Sequence, residues 1–215
     1  MNQSPNGGLM HQAETLLELG RPHEALHIAG MAAAAAPADA TIHCVMATGH
    51  LALGEVADAF GEIRRAIQLE PAWEWPHRLK AMALLSQAEE AKGRKAKRLQ
   101  RRAGEAARTA VRLGPAIPEA HCILGFAELT LGRVAAARAA TRRAVELAPD
   151  DAPGWVVISL VELSERQWAA AAYAAWRALT LDPNDEAAMT VFASARQQLG
   201  CAMIPDPDHG LSRAS

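Results

Sequence analysis

The sequence predicts an all-α fold, a solenoid of about five helical hairpins closed by a last helix. Prolines recur at intervals of 34 residues, with one interval of 44, at Pro37, Pro71, Pro115, Pro149 and Pro183. A constant period of this length is typical of arrays built from one supersecondary unit. Aromatic residues make up only 4% of the chain, while alanine fills equivalent places in each period. Small residues with strong helix propensity favour closely packed helices over sheets.

The unit 118–151 is the reference for the alignment, with a turn at 131–133 and a proline that ends its second helix. Aligned on it, the chain divides into five copies and a terminal helix: 6–39, 40–73, 74–117, 118–151, 152–185 and 186–199. Arg196, Gln197 and Gln198 give the terminal helix the polar outer face that a capping element needs. Residues 1–5 and a C-terminal tail, 201–215, flank the array. We expect 1–5 and about 204–215 to be mobile, and residues 201–203 to pack against the last helix.

Each copy keeps small residues where helices must approach each other. Alanine stands twelve and five residues before every repeat proline, at Ala25, Ala32, Ala59, Ala66, Ala103, Ala110, Ala137, Ala144, Ala171 and Ala178. The first helices carry a matching series, Ala13, Ala47, Ala81, Gly125, Ser159 and Ala193. Gly20, Gly54 and Gly132 stand where a left-handed residue can end the first helix, and Arg166 is the exception.

The third copy, 74–117, is ten residues longer than the others because its proline comes late. Counting from both ends of this copy places its turn at the midpoint, Gly93. We expect both helices to gain about five residues and the hairpin to extend roughly 7 Å beyond its neighbours, at 1.5 Å per residue. A disordered ten-residue loop is the alternative, and the helix-forming residues of the segment disfavour it.

The elongated hairpin carries a cluster of positive charge, here called the basic knob. Its members are Lys92, Arg94, Lys95, Lys97, Arg98, Arg101 and Arg102, with no acid among them. The whole chain has a formal net charge of −2, so the remainder is acidic. Two interpretations stay open: a docking point for nucleic acid, an acidic protein surface or membrane headgroups, or a solvated helix tip. No aromatic residue is interleaved to stack a base.

Composition indicates a globular protein, since 50% of the residues are hydrophobic and 21% are charged. The three cysteines, Cys44, Cys122 and Cys201, form no spaced framework, which fits a reducing compartment and argues against a disulfide scaffold. No stretch of 18 uncharged apolar residues is present, and the first residues show no signal-peptide pattern. We therefore expect a cytoplasmic location.

The repeat resembles the tetratricopeptide repeat (TPR) of bacterial proteins. The resemblance rests on the period and on His121, Leu124, Gly125, Gly132, Ala137, Ala144 and Pro149, with Trp155 and Trp168 in the family's aromatic positions. It covers roughly residues 6–200. It implies a right-handed α-solenoid whose first helices line a concave groove, and that groove binds an extended peptide or a helix of a partner protein.

Carried over by position, the resemblance places eleven residues in this groove. They are Cys44, Thr48, Trp75, Arg78, Met82, Leu85, Glu119, Cys122, Phe126, Val156 and Leu160. Spacings of three and four residues put the members from each copy on one helical stripe. The stripe is strongly apolar, which favours a partner face. Burial under a tail of the same chain or by self-association is the alternative.

Some TPR proteins grip the C-terminal carboxylate of a partner with basic residues and asparagine. Here the positions for that asparagine hold Glu14, Thr48, Met82 and Phe126. The chain departs from the pattern, so binding of chaperone tails is not expected. Arg78 is the one groove cation expected to contact a partner.

Three strings suggest metal chemistry but coincide with repeat positions. His23–His27 matches H-E-x-x-H, the spacing of zinc hydrolases, yet Glu24–Ala25 is the acidic-alanine pair that begins a second helix. His43–Cys44 and His121–Cys122 occupy one slot in copies about 20 Å or more apart, at 8–10 Å per helix step. They cannot share an ion, so we predict packing roles for these histidines and expect no metal, cofactor or catalysis.

The sequence thus favours a non-catalytic protein–protein interaction module, working as an adaptor, scaffold or partner-specific chaperone. Two alternatives remain open. One is an accessory subunit of a partner enzyme or biosynthetic complex. The other is a protein that binds nucleic acid or a membrane surface through residues 92–102. Self-association is compatible with each of these hypotheses.

Overall fold

A computed structural model of the chain describes residues 7–200, which form eleven helices and no strand. The predicted tails 1–5 and 201–215 lie outside the described residues. No helix in the described part is long and apolar enough to cross a membrane. The helices are α1 (Gly7–Glu18), α2 (Pro22–Ala35), α3 (Ala40–Ala52), α4 (Val56–Leu69), α5 (Glu74–Glu89), α6 (Gly93–Leu113), α7 (Pro118–Thr130), α8 (Val134–Leu147), α9 (Ala152–Ser164), α10 (Trp168–Leu181) and α11 (Glu186–Leu199).

Consecutive helices pair as hairpins, from α1 with α2 to α9 with α10, and each hairpin packs on the next. Every odd-numbered helix also contacts the next odd-numbered helix. Even-numbered helices make no such contact with one another within residues 7–200. The helices that approach each other lie on the inside of a curved array. The odd-numbered helices therefore form the inner, concave layer, and the predicted all-α solenoid is confirmed.

Each repeat proline lies in a turn that joins one hairpin to the next. The residue before it is excluded from the helical region by the proline ring and ends the even-numbered helix, as Ala36 does with φ −140° and Gly114 with φ −130°. Three residues later the backbone N–H closes the turn: Asp39 donates to Ala36 at 3.2 Å and Ile117 to Gly114 at 3.1 Å. The other three prolines repeat this bond. Proline suits the place because its fixed φ matches such a turn.

In four of the five proline turns, a ring nitrogen ties the turn to the inner helix that follows it. Nε2 of His43, His77 and His121 lies 3.1, 3.2 and 2.9 Å from the carbonyl oxygen of the repeat proline six residues earlier. Trp155 donates its indole N–H to the equivalent carbonyl across 2.8 Å. A histidine protonated at Nε2 and a tryptophan offer a donor at the same place. The histidines predicted as packing residues therefore also complete a turn's hydrogen bonds.

The turn inside each ordinary hairpin depends on one left-handed residue. In three hairpins it is a glycine, Gly20, Gly54 or Gly132, with φ of 68°, 74° and 71°. The following residue donates its N–H to a carbonyl five residues earlier, as Arg133 does to Glu128 at 2.9 Å. This bond is the mark of the Schellman motif, which satisfies the last carbonyls of a helix. Arg166 adopts the same conformation, at φ 58°, although it has a side chain.

The two helices of each hairpin meet at small residues. All ten repeat alanines of the outer layer are at most 1% exposed. On the inner helices Ala13, Ala47, Ala81 and Ser159 are fully buried, and a Cβ added at Gly125 would overlap the methyl group of Thr141. Ala193, at the same phase of α11, is exposed because no helix of the described part packs behind it. Arg196, Gln197 and Gln198 are exposed on this last helix.

The third hairpin is longer because its helices continue. Helices α5 and α6 have 16 and 21 residues, against 13 and 14 in α3 and α4. The ten extra residues thus divide as three and seven instead of the five and five expected. The connection at 90–92 is as short as in the other hairpins. The turn lies earlier than expected because Gly93, at φ 58°, begins α6 instead of standing inside the turn.

The left-handed position tests the turn energetics. We expect Arg166→Gly to raise the free energy of unfolding by about 1 kcal/mol, because the left-handed conformation costs a residue with a Cβ roughly this much. Urea denaturation measures the change. The reciprocal variant Gly132→Arg should lose a similar amount, and no change in either protein would contradict this account of the turn.

The ring N–H at the proline turn gives a second test. His121→Phe should fill the slot but leave the Pro115 carbonyl without its ring donor, lowering the free energy of unfolding by about 1–2 kcal/mol. His121→Trp, which copies the arrangement at Trp155, should lose less. Equal losses in the two variants, measured by urea denaturation, would show that the slot selects for size alone.

Candidate partner-binding groove

The inner layer leaves part of the predicted stripe open. Seven of the eleven predicted groove residues are exposed or partly exposed on α3, α5, α7 and α9: Thr48, Trp75, Arg78, Met82, Glu119, Phe126 and Leu160. Met82 is the most exposed apolar side chain among them, at 38%. Phe126 and Leu160 are partly buried against hydrophobic clusters inside the hairpins. An apolar strip supported from behind by a packed core is what remains accessible on this face.

Four of the predicted groove residues are core residues: Cys44, Leu85, Cys122 and Val156, all less than 9% exposed. The expectation that they line an open stripe is corrected by their packing between helices. Cys44 lies in a cluster with Leu79 of the next inner helix, and the Cys122 thiol faces Gly154 of α9. Residues on the side of the stripe that faces the neighbouring inner helix are covered by it.

Burial keeps both thiols in the protonated form. Burial raises the pKa of Cys44 to about 12, and the nearby Glu74 carboxylate acts in the same direction. Burial likewise raises the pKa of Cys122 to about 12, with Asp151 adding to the effect. The thiolate is the nucleophile and the metal ligand. These two cysteines are therefore held in the unreactive form at neutral pH.

Trp75 anchors the middle of the inner layer. Its ring contacts both the cluster beneath α3 and the cluster between α3 and α5. Trp73 meets it edge to face, with ring centroids 5.4 Å apart and planes at 86°. This T-shaped arrangement is favoured by the charge distribution of aromatic rings. The pair fixes the junction between the second and third hairpins, and Trp75 remains partly exposed.

Arg78 does not stand free in the groove. Its guanidinium lies 3.3 Å from the Glu119 carboxylate of α7 and 3.8 Å from the Glu74 carboxylate of its own helix. Glu74 Oε2 is buried without a hydrogen bond. Burial raises the pKa of the Glu74 carboxyl, while Arg78 opposes the shift and Glu119 adds to it. We predicted Arg78 as a groove cation that contacts a partner. In the structure two carboxylates of the same chain already share it.

The inner layer is poor in positive charge. Helices α1, α3, α7 and α9 contain no Lys or Arg. Asp151, before α9, is partly buried, and burial together with the Glu119 charge raises the pKa of its carboxyl. Glu74 and Glu119 therefore share the one cation Arg78, and Asp151 adds a third carboxylate close enough to Glu119 to interact with it. The groove floor is apolar with an excess of negative charge.

The basic knob lies in the other layer. All seven of its side chains are exposed, on the 90–92 connection and the first three turns of α6. The opposite side of α6 is buried through Leu99, Ala103 and Ala107. Arg108, further along α6, pairs with the buried Glu128 of α7. The groove and the knob are thus separate surfaces on opposite layers.

The strings that resemble metal sites are engaged elsewhere. Glu24 of the H-E-x-x-H string accepts two hydrogen bonds of 2.6 Å from Arg21 at the surface. Besides its proline carbonyl, His43 holds Nδ1 2.6 Å from Glu62 of the partner helix in its hairpin. Each string therefore stabilises a helix start or a hairpin.

One group of three potential metal ligands lies close together in residues 7–200. Ligand atoms of His50, Glu55 and Asp58 fall within 4.8 Å of one another. His50 Nδ1 is 2.7 Å from the Glu55 carboxylate, and both acids are exposed. This contact crosses the turn between α3 and α4 and ties the two helices together.

An aromatic cluster on α9 and α10 was not predicted. The Tyr173 ring lies 6.2 Å from Trp155 and 6.1 Å from Trp176, and the Arg177 guanidinium lies 5.4 Å above the Trp155 ring. Tyr173 is 49% exposed. The spacing of three and four residues among 173, 176 and 177 could have indicated a shared helical face. The contact with Trp155 of the inner helix required the packed hairpin.

Comparison with known proteins found no matching family model and no matching curated protein. Among solved structures, the thermophilic TPR protein TTC0263 of Thermus thermophilus superposes with a TM-score of 0.80. The two chains are 22% identical, over 88% of this chain and 98% of the other. The chain has the tetratricopeptide-repeat fold.

Two further solved structures resemble the chain. PilF of Pseudomonas aeruginosa matches with a TM-score of 0.66 and 15% identity, over 90% of each chain. YrrB, described as a TPR protein with an unusual peptide-binding site, matches with a TM-score of 0.53 and 14% identity, over 85% of this chain and 89% of that one. The predicted TPR-type architecture is confirmed by this shared fold.

The reactivity of the two thiols tests their burial. In a Cys201→Ser variant, we expect Cys44 and Cys122 to resist DTNB at pH 8, because a thiol of pKa about 12 is about 10⁻⁴ ionised there. Both should react once urea unfolds the chain. The absorbance of the thionitrobenzoate released from DTNB measures the reaction. Prompt labelling of the native protein would contradict their burial and show that these cysteines are accessible in the groove.

Proposed function

We propose that the chain is a non-catalytic interaction module that binds a peptide or helix of a partner protein along its concave groove. The observation that carries the proposal is the partly exposed apolar strip of the inner layer, which includes the exposed Met82 and the partly exposed Phe126. Accessible apolar surface of this kind on a monomer is typical of interaction sites. Parallel helices that line a groove suit an amphipathic helix or an extended segment. Adaptor, scaffold and partner-specific chaperone roles all use such a groove.

The charge of the groove defines the chemistry of the segment. Arg78 is already paired, and Glu119 keeps a side chain that is 52% exposed. A partner carboxylate would meet excess negative charge, whereas a lysine or arginine would find an acceptor. The proposed ligand is therefore an apolar segment with at least one basic residue. A C-terminal carboxylate is not favoured, in agreement with the missing clamp at Glu14, Thr48, Met82 and Phe126.

Two observations support the proposal from outside the strip. YrrB shares the fold and is described as having a peptide-binding site. The described cysteines Cys44 and Cys122 are free thiols, which fits the cytoplasmic location proposed from the sequence. An accessory subunit of a partner enzyme would use the same groove, and the identity of the bound protein decides between the two roles.

A site-specific crosslink tests the groove. With p-benzoylphenylalanine in place of Met82, we expect a covalent adduct in the native cell, and mass spectrometry should locate it on an apolar segment with a Lys or Arg. The same probe in place of Met31, which is exposed on the outer helix α2, is the matched control. Equal adducts at both positions would contradict a dedicated groove.

Charge substitution in the strip tests affinity for the protein so identified. The double variant Met82→Glu and Phe126→Glu should weaken binding about 100-fold, because each change buries an unpaired charge in an apolar contact. Met31→Glu with Tyr173→Glu makes the same chemical change on the outer layer and should leave binding unaltered. Unchanged capture by the groove variant would reject the groove assignment.

A further inference from the structure

The exposed side of α6 carries cations in a regular line. Lys95, Arg98 and Arg102 are spaced three and four residues apart, so they follow one another along a single helical stripe. Each is exposed. Within the described residues none of the seven knob cations forms an ion pair. We refer to Lys95, Arg98 and Arg102 as the α6 strip.

A cleft of about 200 Å³ opens at one end of the strip. Arg102 and Thr109 line it from α6, and His77 and Lys80 line it from α5. Glu105 is the one acidic residue on its wall. Two cations and a hydroxyl around a space of this size suit a single carboxylate or phosphate group. The strip therefore leads into a place where an anionic group can be enclosed.

The charges at the start of α6 oppose helix stability. Lys92 stands at the N-cap without a side-chain hydrogen bond, and the first turn contains no acid. An acceptor such as Ser or Asp is preferred at this place, and positive charge is unfavourable near the positive end of the helix dipole. Local rules broken without a structural gain are expected at functional sites. Helix α8 also begins with a basic N-cap residue and no acid in its first turn, so what distinguishes α6 is the number of cations gathered near its start. That accumulation argues against the interpretation of the knob as a solvated tip alone.

The basic surface is short. Lys92 to Arg102 spans about 15 Å at the helical rise of 1.5 Å per residue. Exposed acids border it on both sides, with Glu89 and Glu90 before it and Glu105 after it. A long polyanion such as a nucleic-acid duplex would place phosphates against these acids, and the knob has no aromatic residue to stack a base. The size and borders fit a ligand with a few negative charges.

A membrane surface is also disfavoured. Helices that bind lipid bilayers combine a basic side with an apolar side that enters the headgroup region. The apolar side of α6, with Leu99, Ala103 and Ala107, is buried within the array. Only charge attraction would be left.

We propose that the α6 strip docks a short acidic segment of a partner protein, with Asp or Glu side chains spaced three and four residues apart and one carboxylate in the cleft. The strip lies on the outer helix α6 and the cleft lies where α6 meets α5. None of the cleft residues is a predicted groove residue, so the site is independent of the proposed groove function. Both sites can be occupied together. The chain would then join two segments: an apolar segment with a basic residue in the groove, and an acidic segment on the α6 strip.

Fluorescence anisotropy with the full chain tests the proposal. The probe is a labelled peptide of about ten residues that carries Glu at positions three and four apart, with a covalent side-chain staple because an isolated peptide of this length does not hold a helix in water. Lys95→Glu, Arg98→Glu and Arg102→Glu together should weaken its binding at least tenfold. Arg64→Glu, Arg65→Glu and Arg142→Glu make the same change of charge on exposed residues of α4 and α8 and should alter binding less than twofold. Circular dichroism verifies that each variant folds. The melting temperature of the strip variant should rise, because the substitutions remove positive charge from the start of α6.

Three results would overturn the proposal. One is equal loss in the strip variant and the control, which would show attraction to the outer layer as a whole. Another is tighter binding, at physiological salt, of a short DNA duplex or of phosphatidylserine vesicles than of the peptide. The last is no binding by the unmodified chain. The groove variant Met82→Glu and Phe126→Glu should keep peptide binding, so failure of one site is distinguishable from failure of the other.

Discussion

The architecture depends on how closely two helices approach inside each hairpin. Alanines of the outer helix face an alanine, serine or glycine of the inner helix, and all of these residues are buried within the five hairpins. At Gly125 even a Cβ would collide with Thr141. Ridges of small residues fix the distance between the helix axes, and that distance sets how one hairpin stacks on the next. The contacts among odd-numbered helices, and with them the concave face, follow from this spacing.

Backbone hydrogen bonding supplies the second level of order. The proline turn, the ring N–H that caps its carbonyl and the left-handed hairpin residue recur with the repeat, so nearly every junction is satisfied by the same few bonds. His43 and His121 look like metal ligands in the sequence because histidine is a common ligand. Each contacts the carbonyl of the repeat proline six residues earlier, which shows that the repeat uses both histidines as donors. Periodicity thus separates framework from function more reliably than any single motif.

The helices, turns and small-residue positions could be predicted from the sequence because each depends on local spacing. Accessibility on the inner layer could not, since Cys44 and Cys122 are covered by the next helix and spacing within one helix carries no record of its neighbour. The pairing of Arg78 with Glu119 joins two copies and was missed for the same reason. The unequal lengthening of α5 and α6 escaped prediction because chain length fixes only their sum. Exposure of the basic side of α6 could be predicted, since seven cations in eleven residues cannot be buried.

The separation of charge between layers gives the molecule an electric dipole across its thickness. Helix α6 contains eight Lys and Arg residues and one Glu, whereas four inner helices have no Lys or Arg. A charged molecule that approaches within a Debye length, about 8 Å at physiological ionic strength, exerts a torque on this dipole before the two molecules are in contact. Ligands of opposite sign are then sorted to opposite faces during the encounter. For the two proposed sites, sorting of this kind would let both segments bind without competition between them.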